Sequence, residues 1–175
     1  MLSTVLMILG LLVLVALLYV ATRPNSFRYA RSASMRAPPE KVFPLINNLR
    51  TLNTWMPFVK PDPNIKLDYS GPESGKGATN DFSGNSQVGA GRLEITDSQP
   101  PNKVTMRLVM TRPMACDNTV EFTLVPAGSM TNVTWAMSGK NSLMSKLMCL
   151  AMNPDKMIGG MFEKGLADLK GLAEK

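Results

Sequence analysis

The chain has 175 residues, with 19 Lys and Arg against 13 Asp and Glu, two Cys and no His. Without histidine these residues cannot supply a Ser-His-Asp or Cys-His relay, and they cannot bind zinc or haem through imidazole. Cys116 and Cys149 are too far apart for a CxxC motif and too few for a four-cysteine metal site. We therefore expect no metal, no cofactor and a reducing compartment.

An uncharged apolar segment opens the chain. None of its first 22 residues is charged, and 18 of these 22 are hydrophobic. A helix of this length is about 33 Å long, which is enough for a hydrocarbon core of about 30 Å. The alternative is a cleaved secretory signal, but that needs a basic start, a shorter apolar run and a small-x-small cleavage site. The sequence therefore predicts an uncleaved transmembrane anchor at residues 1–22.

Basic residues follow this segment. Residues 23–41 contain five basic residues and one acidic residue, so the positive-inside rule predicts a single-pass membrane protein with its soluble domain in the cytoplasm. We expect the basic stretch to lie against anionic head groups. The rest of the chain has no cluster of Lys and Arg with interleaved aromatic residues, so we predict no nucleic-acid binding. Residues 23–26 form a short tether, and residues 27–175 are expected to form one domain.

The predicted elements of this domain fall into three groups. A strand over residues 27–35 precedes a helix that begins at residues 37–41, where proline and an acidic residue favour a helix start. A second short helix or a turn covers residues 51–56. Between residues 61 and 139, six segments, several with period-2 alternation, are separated by turn residues, as is typical of antiparallel strands with one buried face. Helix follows over residues 143–152 and restarts at the N-cap residue Asn153.

Four glycines interrupt the predicted C-terminal helix: Gly159, Gly160, Gly165 and Gly171. Each costs about 1 kcal/mol relative to alanine in a helix interior. Either the helix packs closely against the sheet at these positions, or the missing side chains make room for a ligand.

Several short motifs carry a resemblance to a known family. They are residues 37–43 (Ala-Pro-Pro-Glu-Lys-Val-Phe) followed by Trp55-Met56-Pro57, then residues 69–72, 84–85, 88–95 and 131–135. In these motifs and in the order of its elements the chain resembles START-like proteins of the SRPBCC superfamily, in the polyketide cyclase/dehydrase and lipid-transport group. The resemblance implies an α+β helix-grip fold, in which a curved antiparallel sheet of about six to seven strands packs on a long C-terminal helix. Here one transmembrane helix would precede it.

The resemblance also implies an apolar cavity between the sheet and the last helix. The chain has 14 methionines, and methionine lines permissive apolar sites, although it also fills ordinary cores. We predict a cavity lined by methionine and aromatic side chains. The candidate lining residues are Trp55, Phe82, Met106, Met110, Phe122, Trp135, Met148, Met157, Met161 and Phe162.

Charged residues in the predicted strands are candidates for catalysis, namely Asp81, Glu94 and Arg107. Arg92 and Glu94 share a strand face, so they are either a solvated pair or polar groups inside the cavity. A cyclase could use a buried carboxylate of raised pKa together with an arginine that stabilises an enolate.

Three functions therefore remain open. The first is a membrane-anchored protein that binds a hydrophobic small molecule, such as a lipid or a polyketide-like compound, with its cavity held near the bilayer. The second is an enzyme of the polyketide cyclase/dehydratase type. The third is an interaction module with a collapsed cavity and no ligand.

Overall fold

The computed structural model of the chain describes residues 2–143, 145–147 and 152–175. The apolar helix α1 (Leu2–Thr22) is followed by strand β1 (Ser26–Met35) and two short helices, α2 (Pro39–Asn47) and α3 (Leu49–Trp55). Six strands and the helix α4 (Pro154–Ala173) follow, and residues 143 and 145–147 are also helical. The six strands are β2 (Lys66–Ser70), β3 (Thr79–Ser83), β4 (Ala90–Gln99), β5 (Lys103–Arg112), β6 (Cys116–Ala127) and β7 (Met130–Lys140).

The seven strands form one antiparallel sheet in the order β1-β7-β6-β5-β4-β3-β2. β1 pairs with the last strand because the chain passes through α2 and α3 before it starts β2 at the opposite edge. A register shift at Ala90/Gly91 interrupts the pairing of β4 with β5, next to Gly89 with its φ of +78°. The sheet curves around α4, which confirms the α+β helix-grip fold.

Local sequence signals explain where the helices begin. α2 starts at Pro39 with Glu40 in its first turn, as predicted. The side chain of Asn153 accepts a hydrogen bond from the backbone N–H of Lys156 at 3.1 Å, which confirms the predicted cap of α4. Asn48 caps α3 in the same way, a cap that the sequence pattern did not reveal.

Two of the four helix glycines mark close packing of α4 against its neighbours. A Cβ atom at Gly165 would lie 2.7 Å from Cζ3 of Trp135 and 2.9 Å from Cδ of Pro57, and one at Gly159 would overlap the guanidinium of Arg31. Gly160 and Gly171 have nothing within 4 Å of such an atom. Close packing therefore explains Gly159 and Gly165, and nothing in the structure explains the other two.

Arg31, on the inner face of β1, fixes the first turns of α4. Its Nε donates to Oε1 of Glu163 at 2.8 Å, and its two terminal nitrogens donate to the carboxylate oxygens of Asp155 at 3.1 Å each. The same guanidinium donates to the backbone carbonyls of Ala30 and Asp155. The hydrogen bond from Arg31 holds the pKa of Asp155 below its usual value.

The helix α1 does not belong to the core of the sheet domain. Its segment Thr4–Thr22 has a mean hydropathy of 2.8, and only 6% of it is buried. By length and composition it is a helix that could cross a membrane.

The basic stretch after α1 does not lie along one surface. β1 has ten residues and is therefore about 30 Å long, so Arg36 and Lys41 lie at the end of the sheet that is remote from α1. Arg31 points inward to its two acidic partners. Arg31 is therefore turned away from head groups, while contact of the other basic residues with a membrane surface stays a prediction.

Candidate functional site: an apolar cavity

A cavity of about 310 Å³ lies between the inner face of the sheet, the first half of α4 and the connection that follows α3. Strands β3 to β7 supply most of its wall, since their inward side chains alternate with solvent-facing ones. Ile158 and Phe162 close it from α4, and Met56, Phe58 and Val59 close it from the α3–β2 connection. Small-molecule sites commonly measure about 300–1,000 Å³, so this cavity has the volume of a small one.

An aromatic cluster centred on Trp135 forms the floor of the cavity. Trp135 stacks on Phe162 with ring centroids 4.2 Å apart, and it packs against Phe122 at 5.0 Å. The edges of Trp55 and Phe58 meet it at 5.8 and 6.0 Å. Such contacts stabilise a rigid surface against which an apolar ligand can pack.

Four amide side chains interrupt the otherwise apolar wall: Asn53, Asn80, Gln87 and Asn118. Asn53 donates to the hydroxyl of Tyr69 at 2.8 Å, and Asn118 donates to Sγ of Cys116 at 3.3 Å. Asn80 is only 2% exposed, and its Oδ1 has no hydrogen-bond partner among the described residues. The wall residues that the structure describes include no ionisable side chain.

The cavity opens at one end of the sheet. Gln87 in the β3–β4 loop, Pro113 in the β5–β6 loop and Phe58 all line the cavity and are also exposed to solvent. We call the opening between these three residues the mouth. Asp62 joins two of its sides, because its Oδ2 accepts a hydrogen bond from the backbone N–H of Asn85 in the β3–β4 loop at 2.6 Å.

Five of the ten predicted lining residues lie on the wall. They are Phe82, Met106, Met110, Trp135 and Phe162. Trp55 and Phe122 are fully buried but lie behind Trp135 rather than on the wall. Met157 is 56% exposed and faces away from the cavity, Met161 is only partly exposed and does not line it, and Met148 lies outside the described residues.

The remaining wall residues were not predicted. Asn118 alternates with Val120 and Phe122 on the inner face of β6, and Asn80 pairs with Leu93 across β3 and β4. Period-2 alternation could have placed these two amides on the inner face, because their neighbours at i+2 or across the strands are apolar. Loop residues such as Val88 and Pro113 carry no such signal.

The three catalytic candidates lie on the outer face of the sheet, away from the cavity. Asp81 accepts from Arg92 at 2.7 and 2.6 Å, and Arg107 donates to Asp117 at 2.6 Å. Glu94 is paired with Arg107 across β4 and β5.

This placement corrects the catalytic interpretation. The hydrogen bond from Arg92 lowers the pKa of Asp81, whereas a general base or acid in an apolar cavity needs a raised one. The sequence left open whether Arg92 and Glu94 are solvated or lie inside the cavity, and the structure places them on the solvated face.

A curved sheet that grips a helix around an apolar cavity defines the helix-grip class of proteins. Solved structures of the same class are similar to this chain. They include protein CV1439 from Chromobacterium violaceum, with 16% identity, a TM-score of 0.60 and 87% and 99% of the two chains covered. Ginseng major latex-like protein 151 from Panax ginseng has 9% identity, a TM-score of 0.60 and coverage of 87% and 100%. The di-domain ARO/CYC BexL from the BE-7585A biosynthetic pathway has 9% identity and a TM-score of 0.61, over 91% of this chain and 53% of BexL.

The family can be stated more closely than the fold class. The chain belongs to the family described as polyketide cyclase / dehydrase and lipid transport, whose model matches residues 26–174. No curated protein sequence matches the chain. Family and fold together support a role in binding a hydrophobic ligand or in cyclase chemistry on such a ligand.

Proposed function

We propose that this protein is a membrane-anchored binding protein that holds a neutral hydrophobic small molecule, such as a lipid or a polyketide-like compound, between the sheet and α4. The observation that carries the proposal is the apolar cavity of about 310 Å³ with its aromatic floor. Residues 1–22 would serve as the anchor, because α1 has the length and hydropathy of a membrane span. The domain would lie in the cytoplasm, as the positive-inside rule favours.

The chemistry of the wall supports a neutral ligand. Burying an ion without a counter-charge is costly, and the described wall offers amides but no charged side chain to pair with a carboxylate or phosphate. Apolar side chains such as Leu93, Met106 and Val120 provide most of the contact surface. The unpartnered Oδ1 of Asn80 would accept a hydrogen bond from a hydroxyl group of the ligand.

The same wall favours binding over catalysis. Cyclase chemistry needs a group that takes up or releases a proton at the ligand, whereas the polar side-chain groups of the described wall residues are four amides and the indole N–H of Trp135, none of which is a general acid or base. A cavity of this volume also disfavours a ligand-free interaction module, for which a collapsed cavity was expected.

The ligand can be identified from the full-length protein. We would purify it from membranes in mild detergent, measure its intact mass, and analyse solvent extracts by mass spectrometry. The expected result is one class of neutral apolar molecule at near-stoichiometric amount, on a chain that retains residues 1–22. A chain that lacks those residues would refute the anchor.

Two variants in β5 distinguish a ligand that is bound in the cavity from lipid that is bound around α1. Leu108 lines the cavity, and Val109 is its neighbour on the opposite face of the strand. Leu108→Trp fills part of the cavity and should lose the bound molecule, whereas Val109→Trp should keep it. If the wild type and both variants carry the same molecules in the same ratios, the cavity does not hold the ligand and the proposal fails.

A further inference from the structure

The helix α1 joins the domain at the same end of the sheet as the mouth. Ser26, the first residue of β1, pairs with Lys140, the last residue of β7. Across the antiparallel sheet the β5–β6 loop (residues 113–115) and the β3–β4 loop (residues 84–89) lie at this same end. We call it the mouth end, because Pro113 and Gln87 from these two loops border the mouth.

The segment between α1 and the sheet is short and is held in place by hydrogen bonds. Only residues 23–25 separate α1 from β1, so the end of α1 lies within about 14 Å of the start of the sheet. The backbone carbonyl of Asn25 accepts from the N–H of Asn141 at 2.9 Å, and that of Pro24 accepts from Nδ2 of Asn141 at 3.0 Å. Lys146 donates to Oδ1 of Asn25 at 2.7 Å. The chain that follows β7 is therefore held beside the end of α1.

Exposed apolar side chains concentrate at the mouth end. Leu143 and Leu147 are 62% and 36% exposed, and as helical residues four positions apart they share one face. Met114 in the β5–β6 loop is 42% exposed. Among the described residues outside α1, Val125 is the exposed large apolar side chain that lies at the opposite end.

The charges at this end suit an anionic surface. Arg23, Arg112 and Lys140 are exposed here, while the carboxylate of Asp155, at the start of α4, is paired with Arg31. Basic residues close to a membrane attract anionic lipids. An apolar patch ringed by basic residues is the pattern of a segment that lies in the membrane interface.

We propose that the mouth end rests on the bilayer that holds α1, with Met114, Leu143 and Leu147 inserted among the lipids and the mouth open to the membrane. The inference rests on the proposed function for its anchor. It adds an orientation: a ligand passes between bilayer and cavity without crossing water. The cavity is then loaded from the membrane in which the protein sits.

Depth-dependent quenching tests this orientation in the full-length protein. In a Cys116→Ser/Cys149→Ser background, Met114→Cys places a fluorescent label at the mouth end, and Val125→Cys places the same label at the opposite end. Both native side chains are exposed and apolar, at 42% and 53%, so the two variants are matched. The labelled proteins are inserted into vesicles of phosphatidylcholine and phosphatidylglycerol that contain lipids with nitroxide on the acyl chain.

We expect the label at position 114 to lose fluorescence in nitroxide vesicles and the label at position 125 to keep it. Equal quenching at both positions, or none at position 114, overturns the proposal. Efficient cross-linking between copies through position 114, without lipid quenching, overturns it in favour of self-association.

The quenching measurement does not require a ligand in the cavity. Quenching at position 114 in a protein that yields no bound molecule would sustain the orientation and refute the binding function. A bound molecule without quenching at position 114 would support the binding function and refute the orientation. Loss of residues 1–22 from the intact mass would refute both the anchor and the docking.

Discussion

Adding one methyl group to α4 probes the contact between this helix and the aromatic floor. Gly165→Ala places a Cβ atom 2.7 Å from the Trp135 ring and 2.9 Å from Pro57, and neither ring can move away freely. Gly160→Ala, in the same helix, meets nothing within 4 Å. Both changes gain about 1 kcal/mol of helix propensity, but only Gly165→Ala overpacks the core, at a cost of about 1–3 kcal/mol.

The difference between the two variants therefore isolates the packing contribution. We expect Gly160→Ala to raise the free energy of unfolding by about 1 kcal/mol, and Gly165→Ala to fall about 1–3 kcal/mol below Gly160→Ala. Urea titration followed by tryptophan fluorescence measures both values, with an unchanged m-value as the control. Equal free energies of unfolding would show that α4 does not pack on Trp135 as described.

Three further predictions concern stability. Arg31 lowers the pKa of Asp155, so the ion pair stabilises the fold above the pKa of the unfolded carboxyl group and this stability is lost as pH falls through the folded-state value. Asp155→Asn should therefore flatten the acid side of a plot of urea midpoint against pH, and parallel plots would contradict this. Asn80→Leu removes a buried oxygen that has no described partner. It should raise the free energy of unfolding of the ligand-free protein by about 1–3 kcal/mol. A decrease in this free energy, measured by urea titration, would mean that the amide oxygen accepts a hydrogen bond. Asn153→Ala removes the cap of α4 and should cost about 1 kcal/mol by the same assay, whereas an unchanged midpoint would mean that the cap adds no stability.

Much of the fold could be predicted because its signals are local. The alternation of Val104, Met106 and Leu108 in β5 and the cap at Asn153 depend on residues close in sequence, and both appear in the structure. The face of α4 that packs against the core could not be predicted from local signals in the same way. Met157 and Met161 lie at helical spacing, but Phe162, Leu166 and Leu169 have a larger buried surface and face the core instead.

The site was harder to predict than the fold because its wall combines distant elements. Trp55 and Trp135 both look like wall residues in sequence, yet the ring of Trp135 covers Trp55. Asp81 and Arg107 form ion pairs with Arg92 and Asp117, partners that only strand register brings together. The amides of the wall contribute no hydrophobic pattern of their own, so only the assembled sheet reveals that they share a cavity.

The size and lining of the cavity also determine how binding should appear in a calorimeter. Its volume of about 310 Å³ is at the small end of the range for ligand sites. A wall so poor in hydrogen-bonding groups holds water weakly, so a ligand that fills the space removes apolar surface from water at little enthalpic cost. Binding should therefore show a negative heat-capacity change with favourable enthalpy near 25 °C, the pattern of an apolar ligand in a preformed, poorly hydrated pocket.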